Sequence, residues 1–196
     1  MKITLKKVFW FFLFILILCL FLRATLENTV TRHLYPFPYK EIIIAEAAKY
    51  ELDPLLVISI IRIESNYNYT AESEKGARGL MQIMPETGFW VAEKLDLEDF
   101  TDESFYDPKV NISLGVWYIN DLLRLYDQNL YLALAAYNGG RGRVNKWLES
   151  GIWDGSRESL GNIPFTETRN FVLKVEKAYD QYRQLYPDEP GGLSKD

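Results

Sequence analysis

Cysteine and histidine are almost absent from this sequence. The single cysteine, Cys19, excludes an intramolecular disulfide, and a body without thiols is compatible with an oxidising exterior. The single histidine, His33, has no second His or Cys to join it, so no metal site is expected and no cofactor is called for. An excess of basic charge is missing as well. All 27 acidic residues follow residue 26, whereas four of the 22 basic residues precede it, so the body keeps 18 basic residues and a formal charge of −9. Nucleic acid demands a basic footprint, so nucleic acid is excluded as a partner and any polyanion is disfavoured. Sustained apolar/polar alternation, internal repeats and low-complexity blocks are also lacking, which argues against a sheet-built domain.

What is present begins with an apolar run. "MKITLKK" carries Lys2, Lys6 and Lys7, and "VFWFFLFILILCLFL" follows as fifteen unbroken apolar residues closed by Arg23. Fifteen is short of the roughly 20 residues a membrane span needs. Ile3, Leu5, Ala24 and Leu26, with lysines able to snorkel, extend the usable length. A secretory signal shares this layout but ends in small residues, and "LFLRATLEN" offers only Ala24-x-Leu26. The expectation is an uncleaved, single-pass transmembrane anchor over residues 8–26, with residues 1–7 cytoplasmic and the body on the extracytoplasmic side. Cys19 follows Leu18 rather than a small residue, and so reads as a packing cysteine of that helix rather than a lipid site.

Residues 27–39, "ENTVTRHLYPFPY", read as a spacer. Beyond it the periodicity is helical. "YKEIIIAEAAKY" has one apolar face, and Asp53-Pro54 and Asp107-Pro108 each supply an N-cap followed by a proline at the first helical position. "LYLALAAY" is a short apolar helix stopped at Asn138-Gly139-Gly140, "RVNKWLES" follows to Gly151, and "TETRNFVLKVEKAYDQYRQLY" carries a stripe from Phe171 to Tyr182. The body is expected to be an all-α domain over residues 40–186, with 187–196 a frayed tail.

One acid stands out. In "LLVISIIRIE" the apolar positions 55–58, 60, 61 and 63 cover nearly every face, so the helix is expected to be central and buried. Glu64 follows Ile60 by four residues and Ile61 by three, on an apolar wall that would raise its pKa toward that of a general acid. The plain alternative is a solvated helix end, or a pair with Arg62 or Arg78. "GARGLMQIMPETG" is poor chemistry for a mere connection. Gln82 brings donors and an acceptor suited to sugar hydroxyls or an N-acetyl group, and Met81 and Met84 either line a groove or fill core. "AAYNGG" sets Tyr137 and Asn138 at a helix end, and aromatic residues make up 15% of the chain, enough to offer stacking faces for sugars.

These stretches together, "ESNYNYTAESEKGARGLMQIMP", then "AAYNGG", then "IPFTETRNFV", resemble the catalytic domain of the soluble-type lytic transglycosylases, of the lysozyme-like superfamily. The resemblance spans roughly residues 40–180. It implies a lysozyme-like α fold of the goose-type lysozyme kind and action on peptidoglycan glycan strands, at the β-1,4 bond between N-acetylmuramic acid and N-acetylglucosamine. It makes Glu64 the single catalytic acid, and Ser65, Ser73, Met81, Gln82, Tyr137, Asn138 and Glu167 substrate-binding residues. Two positions depart from the family pattern. Tyr69 replaces a proline, and Phe171 replaces a tyrosine whose hydroxyl would lie near the catalytic carboxyl. The rival readings are a hydrolytic muramidase of goose-lysozyme type, with Glu72, Glu74, Asp154 or Glu167 activating water, and a membrane-tethered inactive glycan-binding protein.

Overall fold

The structure, a computed structural model, describes residues 5–190, with the side chains of residues 5–8, 11–12 and 23–29 outside that description. It divides into two compact units, Met1–Pro36 and Phe37–Asp196. Among its described residues the first contains a single helix, α1, Leu5–Leu34. The expected anchor, residues 8–26, lies within it, interrupted by the residues whose side chains are not described. Over the described residues, no helix is long and apolar enough to cross a membrane. Within the stretch expected as a spacer, residues 27–39, the helix continues through Leu34, because extending a formed helix costs far less than starting one, and it stops just ahead of Pro36. Residues 1–4 of the expected cytoplasmic end lie outside the described residues.

The second unit is all-α among its described residues, with seven helices: α2, Lys40–Ala48; α3, Pro54–Ser65; α4, Pro85–Lys94; α5, Pro108–Leu125; α6, Leu130–Gly139; α7, Arg141–Glu149; and α8, Thr166–Leu185. Two 3-10 turns, Asp102–Tyr106 and Leu160–Asn162, join them. Both Asp-Pro signals act as expected. Asp53 accepts from the Leu55 amide at 2.8 Å, and Asp107 accepts from the Val110 amide at 2.9 Å.

Helix α3 is the centre. Every residue from Pro54 to Ile61 is buried, and each large aliphatic side chain among them contributes about 1.5–3 kcal/mol by leaving water. It packs on α8 and α2, while α6 packs against α5, α7 and α8. Ala133, Ala135 and Ala136 are fully buried on α6, so neighbouring helices approach its backbone closely. Helices α3 and α8 pass in opposite senses: the Tyr179 hydroxyl, late in α8, donates to Asp53 at the start of α3, while Glu167, in the first turn of α8, shares a cleft with Glu64 in the last turn of α3. Past the end of α3, the Tyr67 hydroxyl reaches to within 2.6 Å of that of Tyr182. The tail is held further than expected, since Lys40 forms an ion pair with Glu189. Residues 191–196 lie outside the described residues.

Candidate active site

Helix α3 ends abruptly. Asn66 and Tyr67 take left-handed conformations with φ of 48° and 67°, and the Asn66 amide closes the last turn on the Arg62 carbonyl at 3.1 Å. Glu64 therefore sits in the final turn, over the buried Ile60 and Ile61, where unpaired helix carbonyls also disfavour negative charge. Its carboxyl is half-buried and has no hydrogen-bond or ion-pair partner among the described residues. Burial, and secondarily the charge of Glu167, push its pKa up to about 8. The cations that might have neutralised it are engaged elsewhere. Arg78 binds Asp102 at 2.5 Å with Glu72 at 3.7 Å, and Arg62 donates to the Tyr67 hydroxyl at 2.8 Å.

Glu64 opens into a cleft of about 340 Å³ that brings six of the eight expected site residues together: Glu64, Ser73, Gln82, Tyr137, Asn138 and Glu167. The opposite wall is the loop between α3 and α4. It folds back on itself through paired bonds between Arg78 and Ile83, both 3.0 Å, and between the Ser73 amide and the Ala77 carbonyl at 2.9 Å. The Ser73 hydroxyl accepts from the Ala77 amide at 2.9 Å. Gln82 has a φ of 48° and spends its Nε2 on the carbonyls of Ala71 and Gly79, at 3.1 and 3.0 Å. Two carbonyl partners fix the amide orientation and leave Oε1 as the acceptor at the cleft. From the other side, the Asn138 side-chain oxygen accepts from Thr168 at 2.9 Å, and the Tyr137 hydroxyl donates to the Met81 carbonyl at 2.8 Å. Burial, then the neighbouring Glu64, holds the Tyr137 phenol well above its ordinary pKa, so it stays a neutral donor. Glu167, in the first turn of α8, is exposed and bound by Lys75 at 2.9 Å.

Two expected site residues lie outside the cleft lining. Met81 is fully buried and does not line the cleft, because its side chain fills a hollow over Gly115, where a Cβ would stand 2.2 Å from the Met81 sulfur. Met84 lines the cleft in its place. Ser65 does not line it either, and its hydroxyl turns back to the Ile61 carbonyl at 3.2 Å. Phe171 is buried and stacks on Tyr137 with ring centroids 6.3 Å apart, presenting a hydrocarbon face and no hydroxyl.

Sequence reasoning passed over Lys75 and, more seriously, Asn111. The Asn111 amide is fully buried on α5. Its Oδ1 accepts from the Met81 amide at 2.8 Å, and its Nδ2 donates to the Arg78 and Phe105 carbonyls at 3.0 and 2.8 Å. Gly79 leaves room for it, since a Cβ there would lie 2.3 Å from Asn111 Nδ2. The one available signal was an amide placed one turn into α5 among apolar neighbours.

The model of the transglycosylase SLT domain matches residues 41–159. The chain belongs to the transglycosylase SLT family. This SLT domain is 37% identical over 151 residues to a Haemophilus influenzae protein assigned as a soluble lytic murein transglycosylase, covering 76% of the chain and 25% of the relative. It is 29% identical over 160 residues to the membrane-bound lytic murein transglycosylase C of Actinobacillus pleuropneumoniae, covering 71% of the chain and 44% of that protein. Among solved structures, it resembles the 70 kDa soluble lytic transglycosylase of Escherichia coli with a TM-score of 0.76 at 29% identity, covering 82% of this chain and 26% of that one. It also resembles an inactive Glu-to-Gln mutant of the lytic transglycosylase Slt from Pseudomonas aeruginosa, with a TM-score of 0.70 at 30% identity, covering 81% and 26%. The fold is thus the lysozyme-like α fold of SLT domains. The chain spans about a quarter of the length of the first curated relatives it matches.

Two outcomes follow from the site as built. Asn111→Ala orphans buried backbone groups of the SLT loop and is expected to cost about 3 kcal/mol in chemical denaturation. Glu64 is more protonated folded than unfolded, so it opposes folding increasingly as pH rises from its ordinary value of 4.5 to about 8. Glu64→Gln is therefore expected to stabilise the protein at pH 7 to 8 by about 2 kcal/mol, discounted for the water reaching a half-buried group, and to lose that gain below pH 4.5.

Proposed function

We propose that the protein is a peptidoglycan lytic transglycosylase that cleaves the β-1,4 bond between N-acetylmuramic acid and N-acetylglucosamine and leaves a 1,6-anhydromuramic acid end. The observation that carries this reading is one carboxyl, half-dry and without a partner, at the end of a buried helix and the edge of a polar cleft. Protonated Glu64 donates to the glycosidic oxygen, and the C1–O bond breaks with its electron pair leaving on that oxygen. The acetamido carbonyl of the muramic acid stabilises the cation at C1. Glu64, now a carboxylate, takes the proton of the C6 hydroxyl as O6 bonds to C1, which closes the anhydro ring and restores the acid. No water is consumed, and a single group near neutral pKa serves both halves.

A hydrolase of this fold would ordinarily divide the work between two acids. The candidates for a second one are poorly suited. Asp154 lies outside the cleft and is pulled down to about 2 by hydroxyl and backbone donors from Ser159 and Ser156. Glu72 accepts from Tyr106, Glu167 is bound by Lys75, and Glu74 lines the cleft but is exposed. Ser73, Gln82, Tyr137, Asn138 and Glu167 are assigned to the substrate, Gln82 and Asn138 by amide groups suited to acetamido partners. Met81 contributes through its backbone.

The anchor reading rests on the sequence. Fifteen apolar residues flanked by lysines and Arg23 support a membrane helix over residues 8–26, holding the catalytic body near the bilayer on the extracytoplasmic side. Tethering of this kind restricts an enzyme able to lyse its own cell to nearby strands.

Mass spectrometry of digested cell-wall glycan tests the chemistry. Anhydro ends are expected, their yield falling at least about a thousandfold in Glu64→Gln and, for the parent, declining above pH 8 as the acid ionises. Glu167→Gln is expected to move that decline to lower pH by removing a like charge. Products carrying an added water would establish a hydrolase instead. Fractionation of cells expressing the full chain is expected to place it in the membrane at its full length, and a shortened form in the medium would show a cleaved signal.

A further inference from the structure

We propose that the cleft beside Glu64 continues into a distal sugar-binding platform made by Trp90 and Arg141, which holds a further pyranose ring of the same glycan strand. This rests on the peptidoglycan reading above. The Glu64 cleft shares Gln82, Met84, Tyr137 and Asn138 with a second hollow, and that hollow shares Glu86 and Thr87 with a third, between α4 and the start of α7. The three form one groove. The third hollow is walled by Trp90, Arg141 and Gly142.

A row of aromatic rings runs beneath the groove. Phe171 stacks on Tyr137, Tyr137 lies 5.4 Å from Tyr118, Tyr118 lies 6.4 Å from Trp90, and Trp90 meets Trp117 at 5.1 Å. Trp90 lies one turn beyond Glu86 on α4, so both project toward the same side. A pyranose needs an apolar surface for its C–H face and donors and acceptors for its equatorial hydroxyls. The far hollow supplies both, with the half-buried indole of Trp90 on one side and the Arg141 guanidinium, Thr87 and Glu86 around it. In the unbound protein Arg141 caps this indole, its guanidinium 5.0 Å over the Trp90 ring and held only by an exposed 3.5 Å contact to Asp121, so in the proposal the arginine swings aside to bare the ring face and turns its donors to the sugar hydroxyls. The backbone beside it is bare, since a Cβ on Gly142 would meet nothing within 4 Å, so packing does not require glycine there and a bound ring can approach the chain.

The test uses the full chain and peptide-free glycan strands, one a tetrasaccharide and one a decasaccharide. The parent is expected to cleave the long strand about tenfold more efficiently in kcat/KM, the gain of roughly one well-placed stacking contact. Trp90→Ala is expected to remove that length preference and Trp90→Tyr to retain it. In the Glu64→Gln protein, with Trp90 intact, the Trp90 indole N–H resonance is expected to move on adding the long strand. A length preference that survives Trp90→Ala overturns the platform. So does an indole signal that stays fixed while the long strand binds, and this second readout decides the matter should Trp90→Ala fail to fold. Failure of the parent to cleave either strand overturns the glycan-cleavage reading itself, and is distinct from cleavage that ignores length.

Discussion

A carboxyl kept from both water and counter-charge is the constraint around which this domain is organised. Removing a carboxylate from water is costly, and proteins normally offset the cost with an arginine, a lysine or backbone donors. At Glu64 none of these is supplied among the described residues. The group sits where a wholly buried helix emerges, with aliphatic residues beneath it, helix carbonyls behind it and the Phe171–Tyr137 stack nearby. What the fold gives up in stability at neutral pH, it keeps as an acid that can release and recover a proton there.

The neighbouring cations show how that isolation is maintained. Arg78 comes from the loop facing Glu64, yet its guanidinium is drawn to Asp102 and Glu72 and lies over the Phe105 ring at 5.5 Å. Lys75 does line the cleft, but its ammonium is taken by Glu167. That pair is exposed, so its own contribution to stability is small. Its effect on the site is electrostatic: the carboxylate that raises the Glu64 pKa is itself partly screened by the lysine. Charges in the domain are thus assigned so that the reactive acid receives a weak like-charge push and no opposite-charge pull.

Much of this was legible in the sequence where a local rule decides it. Asp53-Pro54 and Asp107-Pro108 specify helix starts by their own chemistry, and positions 55–61 are too uniformly apolar to be anything but central. The raised pKa of Glu64 followed from the same run. What could not be read depended on distant partners. Met81 and Met84 are the same residue three positions apart, and a hollow at Gly115 on α5 decides which is core and which faces the cleft. The stretch 27–34 shows no helical period, yet it is helical because it extends a helix already formed. Asn111 is one amide among many until the fold brings the loop onto it.

That last residue links the parts. Asn111 holds the Met81 amide, and the Met81 carbonyl holds the Tyr137 hydroxyl, so the two backbone groups of a single residue are gripped from α5 on one side and α6 on the other. Tyr137 is thereby fixed as a neutral ring with its polar end satisfied away from Glu64, free to stack on Phe171 and close the apolar side of the cleft. Had the phenol instead turned to the carboxyl, its hydroxyl would favour the ionised form and lower the pKa that burial raises. A tyrosine in place of Phe171 would offer a second hydroxyl near the same wall. The phenylalanine removes that option, and with the Tyr137 hydroxyl already committed, the acidity of Glu64 is left to desolvation and to Glu167. The dryness of the acid is therefore a property of a buried amide on α5 as much as of the helix that carries it.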